Sequence, residues 1–588
     1  MIRLSLILLS TTSLIQFSDA QTTAPDPKAL DASSSYIELG EGGVVTALQE
    51  RVMDDFIESY ASSDLPPGAL AVLRGVYARS LFEPLWTPDS AKSLIDTKKR
   101  LFDFGLVPDD VSVVDLKQLA ADQSSEDPDT RALADLKLSV AWLRMASAVS
   151  GGLEDEGSTV SRPNRPSRAE LGVAIERAAS GKAYSALSAF EPTHPQYTAL
   201  KASLATYRNL AEDGGWAAIP GGETIQTGDV DPRVPALRTR LSKEGFDAAR
   251  PVDDLLEVSL EIAVSDTQSL EPEEIIAEYD QSFDAALDQA LRAFQKRHGL
   301  EDDGVLGPNT LSALNESVES KIDRIADTMN RWRRHGDLGE RYIWANTPSY
   351  TAEAWQDGVR ELSMRTIVGL PSRETPIFSD TIEYVVANPK WYAPVSIVRR
   401  DKLPKLEADP SYAARLNYKV YDRATGAEVS AVQVDWSDPA SATKYRLVQQ
   451  AGDNNALGDM KIIFPNQYSV YLHGTPSQHL FDEAQRAFSS GCIRLEDPVR
   501  MARWLARQDE TVQVSEVTEA LAEDETERIN FEQTTPVHIT YMTVTVGDDG
   551  SPYFWRDIYD RDDGIEMARK VAPLYRPQSI EEMINDPV

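Results

Sequence analysis

Over residues 45–211 the apolar positions return at helical intervals. The clearest case is 131–150, where Leu133, Leu136, Val140 and Leu143 share one face. Polar stretches at 123–129 and 150–168 interrupt the pattern and predict loops. Residues 212–232, with Gly214-Gly215 and Pro220-Gly221-Gly222, read as a domain junction. A compact helical unit follows. It starts with a helix over 234–241, and Phe283, Ala286, Leu287, Ala290, Leu291 and Phe294 then trace one apolar helix face. The Gly- and Pro-bearing turn 302–310 leads into a last helix ending at Asn315. After a helix over 318–332 the period changes. Short β-rich runs occupy 341–345, 365–368, 381–387, 417–421, 445–449, 461–464, 468–472, 537–546 and 552–557. So many short strands divided by turns favour a sandwich or barrel over a parallel α/β sheet.

Composition narrows the function. The chain has 588 residues, 59 Lys and Arg against 94 Asp and Glu, a net charge of −35, six histidines and one cysteine. That length predicts about three or four domains. The acidity argues against nucleic-acid binding, because no basic stripe is present to neutralise phosphates. One cysteine excludes an internal disulfide framework and a CxxC-type zinc site. Residues 1–20 read as a signal peptide: Arg3, an apolar run from Leu4 to Phe17, and the small-x-small site Ser18-Asp19-Ala20. The run is too short to span a bilayer, so the chain is expected to be exported and not membrane-spanning. Residues 21–45 read as a linker. In an exported chain the lone cysteine is a buried bystander, an intermolecular partner or a reactive thiol.

That cysteine, Cys492, sits in Ala487-Phe-Ser-Ser-Gly-Cys-Ile-Arg494, and a predicted strand upstream delivers His473 followed by Gly474. A thiol is mostly protonated at neutral pH, and a neighbouring imidazole taking its proton leaves the nucleophilic thiolate. Gly491 permits a tight turn in which the amides of Gly491 and Cys492 face a developing oxyanion. Gly474 has no side chain, so a backbone carbonyl near it is the expected orienter of His473. The plain alternative is that Cys492 is a small buried hydrophobe and His473 a satisfied core histidine.

Five stretches carry a resemblance. "FDAALDQALRAFQKRHGLEDDGVLGPNTLSALN" resembles the second half of a peptidoglycan-binding domain, with an acidic insertion over 251–278 between its first and second helices. "NALGDMKIIFPNQYSVYLHGTPSQHLFDEAQRAFSSGCIRLEDP" strongly resembles the YkuD-type L,D-transpeptidases, cysteine enzymes that remodel bacterial peptidoglycan. "RSLFEPLWT", "RWRRHGDLGERYIWAN" and "NPKWYAPVSI" extend the match to the large periplasmic subfamily.

The resemblance implies a multidomain α+β chain. Its parts would be a helical scaffold over 46–229, a small three-helix peptidoglycan-binding-like module over 230–316, and a β-sandwich catalytic domain over 317–588 with a capping insertion at 388–440. It implies Cys492 as acylated nucleophile, His473 as base and acid, the Gly474 carbonyl as orienter, and Gly491 with Cys492 as oxyanion donors. Tyr471, Ser490 and Arg494 would line the substrate site. Many members carry histidine where this chain has Ser490, which leaves His473 as the base within the motif. No metal or organic cofactor is implied. The implied reaction is a 3→3 cross-link through a thioester, with D-Ala released from a tetrapeptide stem. A protein lysine, a free D-amino acid or water are alternative acceptors. Carbapenem-type β-lactams are the implied inhibitors, and cell-wall synthases the implied class of protein partner. A rival from another class is a peptidoglycan-binding scaffold with a dormant catalytic domain.

Overall fold

A computed structural model describes residues 43–53, 69–111, 115–151, 166–248, 281–336, 338–523 and 525–562. The expected signal peptide, all but the end of the linker, and the acidic insertion at 251–278 lie outside the described residues. No helix among the described residues is long and apolar enough to cross a membrane.

The first part is helical. The helix Pro128–Gly151 runs through its centre, buried over most of its length, and Trp142, Leu143 and Met145 join one core with Leu73, Tyr77 and Leu101. Asp135 on that helix is fully buried and organises the "RSLFEPLWT" segment. Its carboxylate accepts from Tyr77 Oη (2.7 Å), Leu85 N (3.1 Å) and Trp86 N (2.9 Å). Burial raises its pKa to about 6 despite those three donors.

The three-helix module closes its own core from Ile219 to Leu314, with Phe283, Leu287, Leu291 and Phe294 inward as their spacing requires. It is joined to the next helix, Val318–His335, by a buried charge cluster. Glu244 accepts from Lys321 Nζ (2.6 Å), Arg240 Nη1 (2.7 Å) and Tyr207 Oη (2.8 Å). Lys321 Nζ also donates to His298 Nε2 at 2.7 Å. Burial works against every charge here, yet the surrounding cations hold the Glu244 carboxyl well below the usual carboxylate range. Lys321 is lowered to about 8, because burial outweighs its carboxylate partner. Removing one member of such a cluster strands the others. Glu244→Gln is therefore expected to destabilise the protein by about 3–5 kcal/mol, read as a lowered denaturation midpoint.

The strands begin with β1 (Arg341–Asn346), β2 (Thr351–Gln356), β3 (Val359–Gly369), β4 (Phe378–Ala387) and β5 (Trp391–Tyr392). Next come β6 (Tyr418–Asp422), β7 (Glu428–Val429), β8 (Tyr445–Gln449), β9 (Met460–Ile463) and β10 (Leu472–His473). The last are β11 (Ala487–Ser489), β12 (Ile493–Leu495), β13 (Glu527–Thr540), β14 (Val544–Val546) and β15 (Pro552–Phe554). Nine of them form one sheet in the order β11-β3-β12-β10-β9-β4-β13-β1-β2, and β2 also pairs with β3. The strands from β3 round to β2 thus close into a ring, with β11 attached outside it. Closure removes exposed sheet edges. The long β3 makes this possible by pairing with β2 along its first part and with β12 at Thr366 and Ile367. Ile343, Ala354, Val385, Ile462, Leu472, Ile493 and Val537 fill one shared core with Met501, Ala502 and Leu505 of the helix Pro498–Ala506.

The pattern alone misses β2, the first part of β3, β5, β7, β11, β12 and the first half of β13. It also overextends a strand over 468–472, where only Leu472 and His473 pair. Asn466 explains the difference. Its Oδ1 accepts from the amides of Tyr468 and Val470, making an Asx turn, and Ser469 is left-handed at φ 55°.

The capping insertion has its own sheet, β5-β8-β6-β7, and its own core around Trp391, Tyr418, Trp436 and Leu447. It extends beyond residue 440, because β8 supplies the central partner of β6 and β5.

Candidate active site

Strand register assembles the site. Leu472 on β10 is fully buried in the core, so its neighbours Tyr471 and His473 face the other way. β12 runs parallel to β10 with Leu472 opposite Ile493 and His473 opposite Arg494. Paired residues share a face, which places Cys492 beside Tyr471 and Arg494 beside His473. β9 is antiparallel on the other side, with His473 opposite Lys461. The outer surface of three adjacent strands therefore presents Lys461, His473 and Arg494 in one row, with Tyr471 and Cys492 beside it.

The nucleophile loop is built on two hydroxyls and a glycine. Gly491 has φ +113°, a conformation open to glycine, and an added Cβ would meet the Glu374 carbonyl at 3.4 Å. Ser489 Oγ accepts from the Gly491 amide at 3.1 Å and donates to the Cys492 carbonyl at 2.5 Å. The expected pair of oxyanion amides is thus reduced by one: the Gly491 N–H already has a partner, and the Cys492 N–H is the one left uncommitted. Ser490 is exposed, and its Oγ accepts from Arg373 Nη1 at 2.7 Å. Arg373 in turn pairs with Asp401 of the capping insertion at 3.6 Å.

His473 is buried, and its Nδ1 lies 2.5 Å from the Gly474 carbonyl oxygen. A carbonyl only accepts, so Nδ1 carries the proton and Nε2 keeps its lone pair. Burial, then the charges of Arg494 and Lys461, lower the His473 pKa to about 3, against the opposing pull of the Gly474 carbonyl. The ring is neutral at physiological pH. Cys492 is partly exposed, and its Sγ lies 3.8 Å from the Ser469 carbonyl. Burial pushes its thiol up, partly offset by Tyr471, Lys461 and Arg494. The resting pair is therefore thiol and neutral imidazole. Tyr471 stands between nucleophile and cap: it packs against the cap core that contains Trp391, and burial, then the neighbouring Cys492, hold its phenol well above its ordinary value. Lys461 Nζ stands 3.9 Å above the Tyr471 ring.

A family model described as "L,D-transpeptidase catalytic domain" matches residues 340–539, the span of the closed sheet, the cap and the row just described. Those residues are similar to an L,D-transpeptidase catalytic domain. The other models that match are described as "Scaffold domain", over 71–204, and "Putative peptidoglycan binding domain", over 276–314. A Haemophilus influenzae protein named "Putative L,D-transpeptidase" is 36% identical over 253 residues, which cover 43% of this chain and 51% of that protein. The chain thus spans about half the length of the curated relative it matches. A solved L,D-transpeptidase from Xylanimonas cellulosilytica is 15% identical and covers 55% of this chain and 99% of its own, at a TM-score of 0.17.

Within the matched residues, Cys492, His473, Tyr471 and Arg494 share one face of β10 and β12, Gly474 and Gly491 shape the backbone beside them, and Ser490 is exposed and tied to Arg373. Sequence reasoning missed Lys461, Ser489 and Arg373. Lys461 had one local signal, a single charge within the apolar run of β9. Arg373 lies on the loop between β3 and β4, and no local signal marks it.

Proposed function

We propose that the chain is an exported, periplasmic L,D-transpeptidase that forms 3→3 peptidoglycan cross-links through a Cys492 thioester. The observation that carries this reading is the shared outward face of Cys492, His473 and Arg494 inside the matched catalytic domain. Nε2 of neutral His473 takes the Cys492 proton as sulfur attacks the carbonyl carbon at the L-centre–D-centre bond of a tetrapeptide stem. The Cys492 amide, with the Tyr471 phenol beside it, stabilises the oxyanion. The imidazolium then protonates the departing amine, and D-Ala leaves. In the second half His473 deprotonates the acceptor amine of a neighbouring stem, which attacks the thioester and frees the thiol.

The cap packs on Tyr471 through Trp391 and shields the thioester from water while the amine arrives. The three-helix module would hold the chain on peptidoglycan, and a cell-wall synthase is the partner class this role suits.

Intact-mass measurement with a carbapenem tests the reading. The wild type is expected to gain one covalent adduct, and Cys492→Ala to gain none. Incubation with a tetrapeptide stem is expected to yield free D-Ala and a cross-linked dimer. No adduct and unaltered tetrapeptide would sink the proposal.

A further inference from the structure

The chain carries a net charge of −35, yet the floor around its nucleophile is lined by cations. Lys461 and Arg494 flank His473 on neighbouring strands, opposite it in register on either side. Strands lie about 4.8 Å apart, so the two residues straddle the imidazole rather than share one spot. Lys402 of the cap adds a third charge near Arg494, held among the rings of Trp391, Tyr412 and Tyr418 at 5.4, 5.9 and 5.6 Å. Among the described residues, no carboxylate forms an ion pair with Lys461, Arg494 or Lys402. Arg494 Nε is buried without a hydrogen-bond partner. Burial lowers the proton affinity of all three cations, so the fold holds them charged at a cost. The acidic group that faces Lys461 and Arg494 is the Cys492 thiol, which balances at most one of them. One positive charge is left over.

Resting on the transpeptidase reading, we propose that Lys461 and Arg494 form a two-cation subsite for the terminal carboxylate of the donor peptide. The chemistry places that carboxylate correctly. In the donor, the residue expelled is the last one, and its carboxylate is separated from the attacked carbonyl carbon only by the amide nitrogen and one Cα. The nitrogen must meet His473 Nε2 to be protonated. A carboxylate carried on the adjacent carbon then falls to one side or the other of His473, where Lys461 and Arg494 stand. Lys461 is thereby a specificity-determining residue: it selects stems that end at the leaving residue as free acids. It also holds the leaving amine against its proton donor.

The test uses the full-length protein and two synthetic tetrapeptide donors, one ending in D-alanine and one in D-alaninamide. A charge-assisted contact of this kind sets an expected preference for the acid of about 30- to 100-fold in kcat/KM. In Lys461→Met the preference is expected to fall below about 5-fold, through loss of the acid donor's rate, and Lys461→Arg is expected to restore most of it. Loss of the Lys461 charge also raises the Cys492 thiol and slows both donors alike, an effect that iodoacetamide alkylation reads, so the acid-to-amide ratio is the quantity that reports the subsite. An unchanged acid-to-amide preference in that variant overturns the subsite. A wild type that forms the carbapenem adduct but uses both donors equally overturns the subsite and leaves the transpeptidase reading standing. A wild type that forms no adduct and uses neither donor removes both.

Discussion

Replacing His473 by alanine is expected to slow acylation of Cys492 by about a thousandfold, in line with loss of a positioned general base. The size of the effect follows from the resting protonation states. Burial holds the Cys492 thiol above its ordinary value, so little thiolate exists at neutral pH and the attacking sulfur must give up its proton during the step. His473, neutral and with its Nδ1 held by the Gly474 carbonyl, is the base proposed to take it.

The pH dependence provides a second handle. A His473 pKa near 3 leaves the base neutral and available throughout the range where the protein is studied. The acylation rate is therefore expected to show no inflection near pH 6.5, and to rise toward the alkaline pKa of Cys492. The groups that act on that thiol are Tyr471, Lys461 and Arg494; burial holds the phenol well above its ordinary value and lowers the two cations. An acid limb centred near 6.5 would mean a thiolate–imidazolium ion pair in the free enzyme, contrary to this picture. In His473→Ala the alkaline rise is expected to persist with its amplitude reduced, since deprotonation by solvent then replaces the lost base.

What could be read from the residues alone divides by range of interaction. Helices showed through their periodic apolar faces, as in Phe283 to Phe294, because a helix is closed by contacts between near neighbours. At the candidate site the tight turn that Gly491 marks was legible, and the structure gives it φ +113°. The strand over 351–356 was not, because Thr351-Ala-Glu-Ala-Trp-Gln356 places alanines where a core strand is expected to show bulk. Inside the ring those small residues fit under larger neighbours such as Ile343 and Leu362. The start of β13 was hidden by its charges, although Ile529 and Phe531 alternate inward between them.

The site's electrostatics were less legible still. Lys461 reads locally as an ordinary solvated lysine, and only the pairing of β9 with β10 brings it opposite His473. The Gly491 amide looked free for an oxyanion until Ser489 was seen to occupy it. In each case the missing information is a partner distant in the chain or a hydrogen bond that the residue type does not specify.

The same dependence on distant packing makes Gly458→Ala expected to disable the site without touching a reacting group. Gly458 is left-handed at φ +62°, and an added Cβ would stand 2.6 Å from the Thr475 amide nitrogen and 2.8 Å from the Gly474 carbonyl carbon. Those contacts are with backbone, so no side-chain rotation relieves them, and the His473-Gly474-Thr475 segment has to shift. The Gly474 carbonyl orients the imidazole, and a displacement of about 1 Å at a positioned base costs on the order of a hundredfold in rate. Stability is expected to fall by about 2–4 kcal/mol, the sum of left-handed strain and overpacking.

Gly426 separates the two contributions. It is also left-handed, at φ +74°, but nothing lies within 4 Å of its added Cβ. Gly426→Ala is expected to cost about 1–2 kcal/mol of strain alone and to leave carbapenem acylation of Cys492 at the wild-type rate. Thermal melts and acylation rates of the two variants side by side make the comparison. If Gly458→Ala acylates as fast as Gly426→Ala, the close packing of Gly458 on the histidine loop does not set the position of the base.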